Sequence, residues 1–478
     1  MRRRTVLRGF TAGSLTGPLL GLAGCVESEP TAEPTPTQTP TVEIPAVSGQ
    51  WPMARCDAQN TGSTPNTRGP QTAPTSRVLV ELDVRPEGYL TLTDSHLYAK
   101  QGGTLDCYDR ETGATRWSGD SITNGLGLGT HYRTPIVVDD RVVTATSLAG
   151  GLDASVGAAA AKTGAQIWKQ QFDGDELTPH SACGQNGLLH LVTTEGSVFG
   201  FTTDGESVWE QSLDGIGDQS SAIQAPLVVS DGYGAVLGSN GTVYGFDTAD
   251  GTSLSEVDIL GRHVVGTGET LETAVRFSDD NGIERHGDEG TGGIALADGA
   301  AYVVSRPNGR SNARVHRVDL ERGEIRWSRL FTEDGEEHSA HDWLPSDPVV
   351  DDEHVYVNCK ADIGGDEPSR TDNLFAFSRS DGSIAWSVPT GYNGTNISPA
   401  VAGDTVYSIS TTAEPGPEDL KANLILAHTS DGGDERWRTT VEGNVKTPPV
   451  LHDGTIYVGT RHRGWSATNR LCALSAES

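Results

Sequence analysis

Residues 226–251 carry the pattern that decides the fold: Pro226-Leu-Val-Val-Ser-Asp-Gly-Tyr-Gly-Ala-Val-Leu-Gly-Ser-Asn-Gly-Thr-Val-Tyr-Gly-Phe-Asp-Thr-Ala-Asp-Gly251. Three short apolar stretches are separated by Asp-Gly and Asn-Gly dipeptides, which supply the positive φ angles of tight hairpins. The alternation in Val-Tyr-Gly-Phe-Asp places large side chains on one face of a strand. The stretch therefore predicts short antiparallel strands joined by hairpins.

The same unit recurs along the chain, as in residues 398–437 and again in residues 447–459. A tryptophan follows the closing turn in six copies: Trp117, Trp168, Trp209, Trp327, Trp386 and Trp437. A glycine precedes each tryptophan by four or five residues: Gly113, Gly164, Gly205, Gly323, Gly382 and Gly432. A seventh copy, ending near Val257, keeps Gly251 but lacks the tryptophan. A fixed large ring in each unit suits the gap between stacked sheets, where its N–H needs an acceptor.

The number of units predicts the architecture. Seven units are complete, and an eighth, from about Thr447 to Leu474, holds three strands before the chain ends. The segment Ser76–Asp83 precedes the first unit and is expected to supply the missing strand. We therefore expect an all-β propeller of eight four-stranded antiparallel blades, closed by this N-terminal strand, with seven blades as the alternative.

Composition excludes several classes of protein. The 478 residues include 65 Asp and Glu against 35 Lys and Arg, a formal net charge of −30. Such a charge opposes general binding to nucleic acid, and no apolar run approaches the roughly 20 residues of a membrane span. High acidity with few lysines resembles the proteins of salt-loving organisms, in which salt screens the repulsion between surface charges.

The N-terminus is typical of an exported lipoprotein. Arg2-Arg3-Arg4-Thr-Val-Leu-Arg8 resembles a twin-arginine export signal, with Arg3 and Arg4 as the signal pair. Leu22-Ala-Gly-Cys25 resembles a lipobox, which implies cleavage before Cys25 and a lipid on its sulfur. We expect a signal at residues 1–24, a Thr/Pro-rich stalk at 25–50 and the propeller at 51–478. The protein is then expected on the outer face of the cytoplasmic membrane.

The repeat resembles the pyrrolo-quinoline-quinone-like β-propeller repeat over about residues 50–475. The opening Trp51-Pro-Met-Ala-Arg-Cys-Asp57, with Asn60-Thr-Gly62, is similar to the start of many such chains. The resemblance includes quinoprotein dehydrogenases and the lipoprotein of the bacterial outer-membrane assembly machine. Because the fold carries both enzymes and non-enzymes, function has to be argued from the site.

The enzymes in this group imply features that the sequence does not match. They hold the quinone against two adjacent cysteines, and this chain has no Cys-Cys pair. They also bind calcium through a Glu, an Asn and an Asp that cannot be aligned here. We therefore expect neither the quinone nor calcium, and favour a non-catalytic scaffold, monomeric in its body, that binds a protein or ligand. The alternatives are a quinone- or metal-dependent oxidoreductase, and an extracellular hydrolase or sensor using loop histidines.

Loops that enter the innermost strand of each blade line one mouth of a propeller. Here they gather a candidate ligand funnel for an anion in an otherwise acidic chain: His131, Arg133, His180 and Lys446. The alternative is that these residues cap strands and pair with nearby acids. His338 and His341, in an acidic insertion, form a weak candidate metal site, for which a solvated loop is the alternative.

Five cysteines remain besides Cys25: Cys56, Cys107, Cys183, Cys359 and Cys472. Their number is odd, and no Cys-x-x-Cys motif occurs among them. Export permits disulfides, but we expect mostly buried thiols and one bridge at most.

Overall fold

The fold is given by a computed structural model. It describes residues 56–57, 59, 61–64, 68–83, 86–101, 104–119, 135–138, 140–147, 153–173, 182–183, 187–193, 196–213, 227–230, 232–238, 241–259, 293–305, 313–331, 342–362, 372–391, 397–411, 423–461 and 468–476. Of the two units into which the chain divides, residues 1–41 lie outside this description, and the propeller belongs to the second. In these ranges no helix is long and apolar enough to cross a membrane.

The described strands form eight sheets, antiparallel except where the two-residue β1 joins one of them, which confirms the predicted eight-bladed all-β propeller. Blades 1 to 4 each contain four strands in sequence order. They are β3 Pro86–Leu92, β4 His96–Gln101, β5 Thr104–Asp109 and β6 Thr115–Gly119; β7 Ile136–Val138, β8 Arg141–Ser147, β9 Asp153–Ala160 and β10 Gln166–Asp173; β11 Ala182–Cys183, β12 Leu188–Val192, β13 Ser197–Thr202 and β14 Ser207–Ser212; β15 Val228–Ser230, β16 Tyr233–Leu237, β17 Thr242–Asp247 and β18 Ser253–Asp258.

Blades 5 to 8 follow the same order, with short extra strands. They are β19 Ile294–Ala297, β20 Ala300–Ser305, β21 Arg314–Asp319 and β22 Glu324–Leu330; β23 Asp342–Pro345, β24 Val349–Val350, β25 His354–Asp362, β26 Asp372–Ser378 and β27 Ile384–Gly391; β28 Ala400–Ala402, β29 Thr405–Thr411, β30 Asn423–Thr429 and β31 Glu435–Val441, joined by β1 Ser63–Thr64; β32 Asn444–Val445, β33 Val450–His452, β34 Thr455–Arg461 and β35 Asn469–Ser475, joined by β2 Thr75–Leu82.

The first strand of each blade lies innermost, since the first strands of neighbouring blades approach one another around the axis. The last strand is outermost. In blade 8 that position belongs to β2, which pairs antiparallel with β35, Ser76 opposite Leu474. The predicted closure of the ring by the segment Ser76–Asp83 is thus confirmed, with the strand starting one residue earlier and ending at Leu82.

Apolar side chains fill the gaps between blades. Between blades 5 and 6, Tyr302, Trp327, Val355, Phe375 and Phe377 are all buried in one cluster. Burying a side chain of this size stabilises a fold by about 1.5–3 kcal/mol. Each blade packs one face against each of its two neighbours, so the apolar burial that stabilises a blade depends on the neighbouring blades being present.

The repeat tryptophans join neighbouring blades, as predicted, in five of the six copies. Each indole Nε1 donates to a carbonyl in the turn between the third and fourth strands of the next blade, or to Pro70 where the ring closes. The pairs are Trp117 with Ala161 (2.9 Å), Trp168 with Thr203 (2.9 Å), Trp327 with Arg379 (3.0 Å), Trp386 with Ser430 (3.0 Å) and Trp437 with Pro70 (2.9 Å).

Trp209 is the exception, and the expectation of an acceptor for its N–H is wrong. Its Nε1 is buried without a hydrogen-bond partner. The corresponding carbonyl, that of Thr248, lies 3.1 Å from His190 Nε2 instead. His190 stands where several blades carry a tyrosine; in blade 1, by contrast, the Tyr98 hydroxyl and the Trp117 indole both donate to the carbonyl of Ala161.

Blade 4 replaces its tryptophan with Ser255, and the next blade compensates. Leu320, at the turn of blade 5, is fully buried and packs among the residues between the two blades. A Cβ added at Gly245 of blade 4 would lie 3.4 Å from the Leu320 side chain, so this leucine fills the space of the absent indole.

Candidate functional site

The chain before β2 runs past the inner ends of several blades. We call residues 57–70 the strap; of these, residues 58, 60 and 65–67 lie outside the described part. Its strand β1 pairs in parallel with β28, the innermost strand of blade 7, with Ser63 opposite Val401. The strap therefore lies on the axial side of the ring, where a propeller leaves its inner strand edges open.

Backbone hydrogen bonds fix the strap to four consecutive blades. Its carbonyls accept from Leu296 (Gln59 O, 2.8 Å), Val350 (Thr61 O, 2.8 Å), Val401 (Gly62 O, 2.9 Å), Gly403 (Thr64 O, 3.2 Å) and Gly454 (Arg68 O, 2.9 Å). The Gln59 amide also donates to Ser230 Oγ of blade 4 over 3.3 Å. Half of the ring is thus linked along its inner edge by one extended segment.

Asp57 shapes the start of the strap. Its carboxylate accepts hydrogen bonds from both the backbone N–H and the hydroxyl of Thr61, four residues later. Gly62 follows with φ of 65°, a left-handed conformation in which glycine carries no steric penalty. These residues belong to the Asp57…Thr61-Gly62 motif, so the motif builds the bend that lays the strap against the blades.

A cavity of about 480 Å³ opens between the strap and the ends of blades 4 to 7 that carry the turns between the first and second strands. Asp57, Gln59, Thr61 and Ser63 line it from the strap side. The turns between first and second strands line it from the ring side. Its size falls within the range of small-molecule and side-chain pockets, and its lining contains six carboxylates: Asp57, Asp298, Asp351, Asp352, Glu353 and Asp404.

Arg379 is the single arginine among the lining residues. Its guanidinium donates to the Tyr302 hydroxyl (3.0 Å) and to the Asp351 carbonyl (2.8 Å), and it pairs with Asp298 (2.6 Å). Burial disfavours its charge, but the bonds to Tyr302 and Asp298 outweigh burial and raise its pKa. Because Arg379 already has these partners, the lining as a whole favours a cationic group over an anionic one.

The cavity opens on the end of the ring that carries the turns between the first and second and between the third and fourth strands. We call this end the turn face. In its Asp-Gly turns the aspartate carboxylate accepts hydrogen bonds from residues of the same turn. Asp381, for example, accepts from the N–H and the hydroxyl of Ser383, and these bonds lower the pKa of Asp381. The turn chemistry that makes the hairpins therefore also makes this face acidic.

Lys446, the predicted funnel residue that the structure describes, precedes β33, at the end of blade 8 opposite the turn face. His131, Arg133 and His180 lie outside the described residues, so their grouping with Lys446 stays a prediction. Lys446 is half-buried, and its backbone N–H donates to Gly459 O over 2.8 Å. His338 and His341 also lie outside the described residues, as do Cys25, Arg3 and Arg4.

The sequence contains no Cys-Cys pair of the kind that the resemblance implies for a quinone site. Cys56, Cys107, Cys359 and Cys472 are buried thiols, which agrees with the expectation for these four cysteines. Burial raises the pKa of Cys107 to about 12. Within the described ranges, no three His, Cys, Asp or Glu side chains are grouped to hold a metal ion. We derive no step through a quinone or a metal.

The strap and its cavity were not predicted from the sequence. The motif from Trp51 to Gly62 was the available signal, since its Asp57, Thr61 and Gly62 lie outside the repeat and need a separate role. Its partners, Leu296, Val350 and Val401, lie more than 200 residues away, and only the closed ring brings them to the strap.

Comparison with known proteins supports the architecture. The family model described as outer membrane protein assembly factor BamB matches residues 152–258, 239–414 and 376–478. No curated protein sequence matches the chain. Similar solved structures include quinohemoprotein alcohol dehydrogenase from Comamonas testosteroni (12% identity, 91% of this chain and 82% of that chain, TM-score 0.58) and the computationally designed Ika8 protein (13%, 83% and 99%, 0.53).

BamB from Moraxella catarrhalis is a further structural match, at 13% identity over 84% of this chain and 98% of that chain, with a TM-score of 0.49. At these identities the structural likenesses show the fold alone, and that fold occurs in an alcohol dehydrogenase and in a designed protein alike. Whether the chain is an enzyme therefore depends on its own residues.

Proposed function

This chain belongs to the family of the outer membrane protein assembly factor BamB, and on that premise we propose that it is a non-catalytic scaffold which binds a partner protein outside the cytoplasmic membrane. The match carries the proposal because it extends, taken together, over residues 152–478, which include blades 2 to 8. What the family name describes is an assembly factor rather than an enzyme.

The architecture supports a scaffold. Eight sheets share their buried faces with both neighbours, and the strap links four blades along the inner edge. Such a ring presents its turns at fixed positions, so a partner meets a preorganised surface and pays little ordering entropy in the scaffold.

The charge of the turn face indicates the chemistry of the partner. Asp352 and Glu353 are exposed at the rim of the cavity and belong to a lining with six carboxylates and one guanidinium. Opposite charges on the two partners accelerate encounter and set orientation. We therefore infer that the cavity receives a lysine- or arginine-containing segment of the partner.

The location is proposed from the N-terminal sequence. Arg3 and Arg4 resemble an export signal and Cys25 a lipidated cysteine. A body held by a lipid needs no spanning helix of its own. If the proposal is right, Cys25→Ala releases the protein into the medium; retention of that variant on the membrane would contradict lipid anchoring.

Site-specific photo-crosslinking tests the scaffold. A benzoylphenylalanine at Glu353, on the rim, is expected to capture one protein in producing cells, whereas the same group at Glu111, on the turn face of blade 1, is expected not to. Asp352→Asn with Glu353→Gln should weaken binding of the identified partner by about three- to tenfold at low salt. The matched pair Glu111→Gln with Glu206→Gln should leave binding unchanged.

Two results would reject this function. Equal capture at residues 353 and 111 would mean that the cavity does not select the partner. Stoichiometric uptake of pyrroloquinoline quinone with Ca²⁺, read by absorbance and by a higher melting temperature, would favour the oxidoreductase alternative.

A further inference from the structure

The ring closes where blade 8 meets blade 1, and an arginine joins them. Arg110, in the turn between β5 and β6, lies with an NH1 nitrogen 2.8 Å from Nδ1 of His452 and 3.4 Å from the Tyr457 hydroxyl. Its Nε donates to the Asp94 carbonyl over 3.0 Å. His452 and Tyr457 belong to blade 8, so one guanidinium spans the junction.

The junction of blades 5 and 6 provides an internal comparison. Arg379 occupies the position of Arg110 and donates to Tyr302, the counterpart of Tyr457. It pairs with Asp298, the counterpart of Asp453, at 2.6 Å. Both aspartates have positive φ, 50° and 44°. Blade 5 has Ala297 where blade 8 has His452, so the histidine is an addition to an otherwise shared arrangement.

The contacts assign the tautomer of His452. A guanidinium has no acceptor atom, so Nδ1 accepts from Arg110 and the ring proton is on Nε2. That N–H faces Asp94 Oδ1 at 3.3 Å. A second proton on the ring has to go to Nδ1, where it meets the N–H of Arg110 and replaces a hydrogen bond by two opposed donors; Asp453 Oδ2, 3.6 Å from the same nitrogen, partly offsets this loss.

The groups around His452 shift its pKa in opposite directions. Its side chain is only 2% exposed, and burial together with Arg110 lowers its pKa, while Asp94 and Asp453 oppose that shift. The remaining charged or titratable groups near it are Tyr457, on the same blade; Arg77 of β2, which acts on Tyr457; and Arg68 of the strap, whose carbonyl accepts from Gly454.

We propose that the junction of blades 8 and 1 is a pH-sensitive latch, in which protonation of His452 on Nδ1 releases Arg110 and loosens the closing strand β2. The reaction is a proton transfer from solvent to Nδ1 and involves no other co-reactant. At this junction Leu79 of β2, instead of a tryptophan, lies against Gly113 of blade 1. The latch holds at neutral pH and opens under mild acid.

Hydrogen exchange of the full mature chain tests the latch. Exchange of β2 peptides is measured at pH 7.5 and 5.0, and each rate is divided by the intrinsic chemical rate at that pH. We expect the corrected rate to rise by about tenfold at pH 5.0, as when opening is coupled to one proton over about one unit of pH.

Two variants isolate His452. His452→Ala copies the arrangement of blade 5, and His452→Gln keeps an acceptor for Arg110 without a titratable ring. In both, the rise in β2 is expected to fall at least threefold, while exchange of β22 keeps its wild-type response. A rise in β2 that is the same in wild type and in both variants overturns the latch. If the variants exchange faster than wild type by the same factor at pH 7.5 and at pH 5.0, the pH response of β2 is unchanged. His452 then has a structural role only, and the latch is overturned.

Discussion

Trp437 Nε1 donates to the carbonyl of Pro70 over 2.9 Å, although the two residues are 367 positions apart. In the other junctions with this bond, the acceptor belongs to the turn between the third and fourth strands of the next blade. Blade 8 has no such continuous turn, because its fourth strand comes from the N-terminus. The end of the strap replaces it, so the strap is part of the ring's closure as well as a wall of the cavity.

The contribution of the hydrogen bond between Trp437 and Pro70 to the free energy of unfolding can be measured with a matched pair of variants. Trp437→Phe removes the donor to Pro70, whereas Trp209→Phe removes an N–H that has no hydrogen-bond partner. Both lose the same side-chain volume. We expect Trp437→Phe to reduce the free energy of unfolding by about 1–2 kcal/mol more than Trp209→Phe, measured by denaturant titration. Equal losses would show that the bond contributes nothing.

Gly382 tests the packing beneath a repeat tryptophan. It has φ of 74°, and a Cβ there would lie 2.6 Å from the Trp327 ring. Gly382→Ala is expected to cost about 2–4 kcal/mol, from left-handed strain plus displacement of the indole. Gly454 has φ of 70° with nothing within 4 Å, so Gly454→Ala should cost only about 1 kcal/mol. Comparable melting temperatures for the two variants would contradict the role of the ring contact.

The repeat made the blades predictable, because each strand, turn and tryptophan is specified by residues close in sequence. The strand Ser76–Asp83 was found as the missing fourth strand by counting units. The strap was not found, since its hydrogen bonds depend on Leu296 and Val401 arriving at one axis. The unpaired indole N–H of Trp209 lies where His190 meets Thr248 of the following blade, a pairing of two blades that no single repeat contains.

The cavity beside the strap was not predicted from the sequence, for the same reason. Asp351, Asp352 and Asp404 were recognisable as turn residues, but a turn-forming aspartate in one unit says nothing about the others it will meet. Positive residues near the funnel stood out because they are rare in an acidic chain. The described cavity instead uses the commonest charged residues, which gave no signal.

Three buried histidines should make the protein less stable in acid. Burial lowers the pKa of His190 and His428 to about 4 and that of His316 to about 3, below the ordinary value of 6.5. The folded state therefore prefers the neutral ring. Its contribution is complete above pH 6.5 and is lost as the pH falls through the folded pKa.

The pH dependence of the free energy of unfolding checks this. We expect His190→Gln to reduce the loss of stability between pH 7.5 and 5.0 by about 2 kcal/mol. Each unit of pH between the ordinary pKa of 6.5 and pH 5.0 costs the folded state about 1.4 kcal/mol, because the ring is protonated only in the unfolded chain. A slope unchanged in His190→Gln would mean that this ring takes up its proton equally in the folded and unfolded states, and would contradict the prediction.

Salt dependence tests what the acidity does to the fold. The chain has a formal charge of −30, and the turn face concentrates carboxylates such as Asp298, Asp352 and Asp404, whose side chains are largely exposed. Repulsion between them is screened over about 3 Å at 1 M salt but over about 10 Å at 0.1 M.

We expect the melting temperature to rise by several degrees from 0.1 to 2 M KCl. The variant Asp352→Asn with Glu353→Gln should show a smaller rise, because it removes two of the repelling charges. An equal rise in Na₂SO₄ and KCl at matched ionic strength would assign the effect to screening, whereas a rise in sulfate alone would assign it to stronger apolar burial.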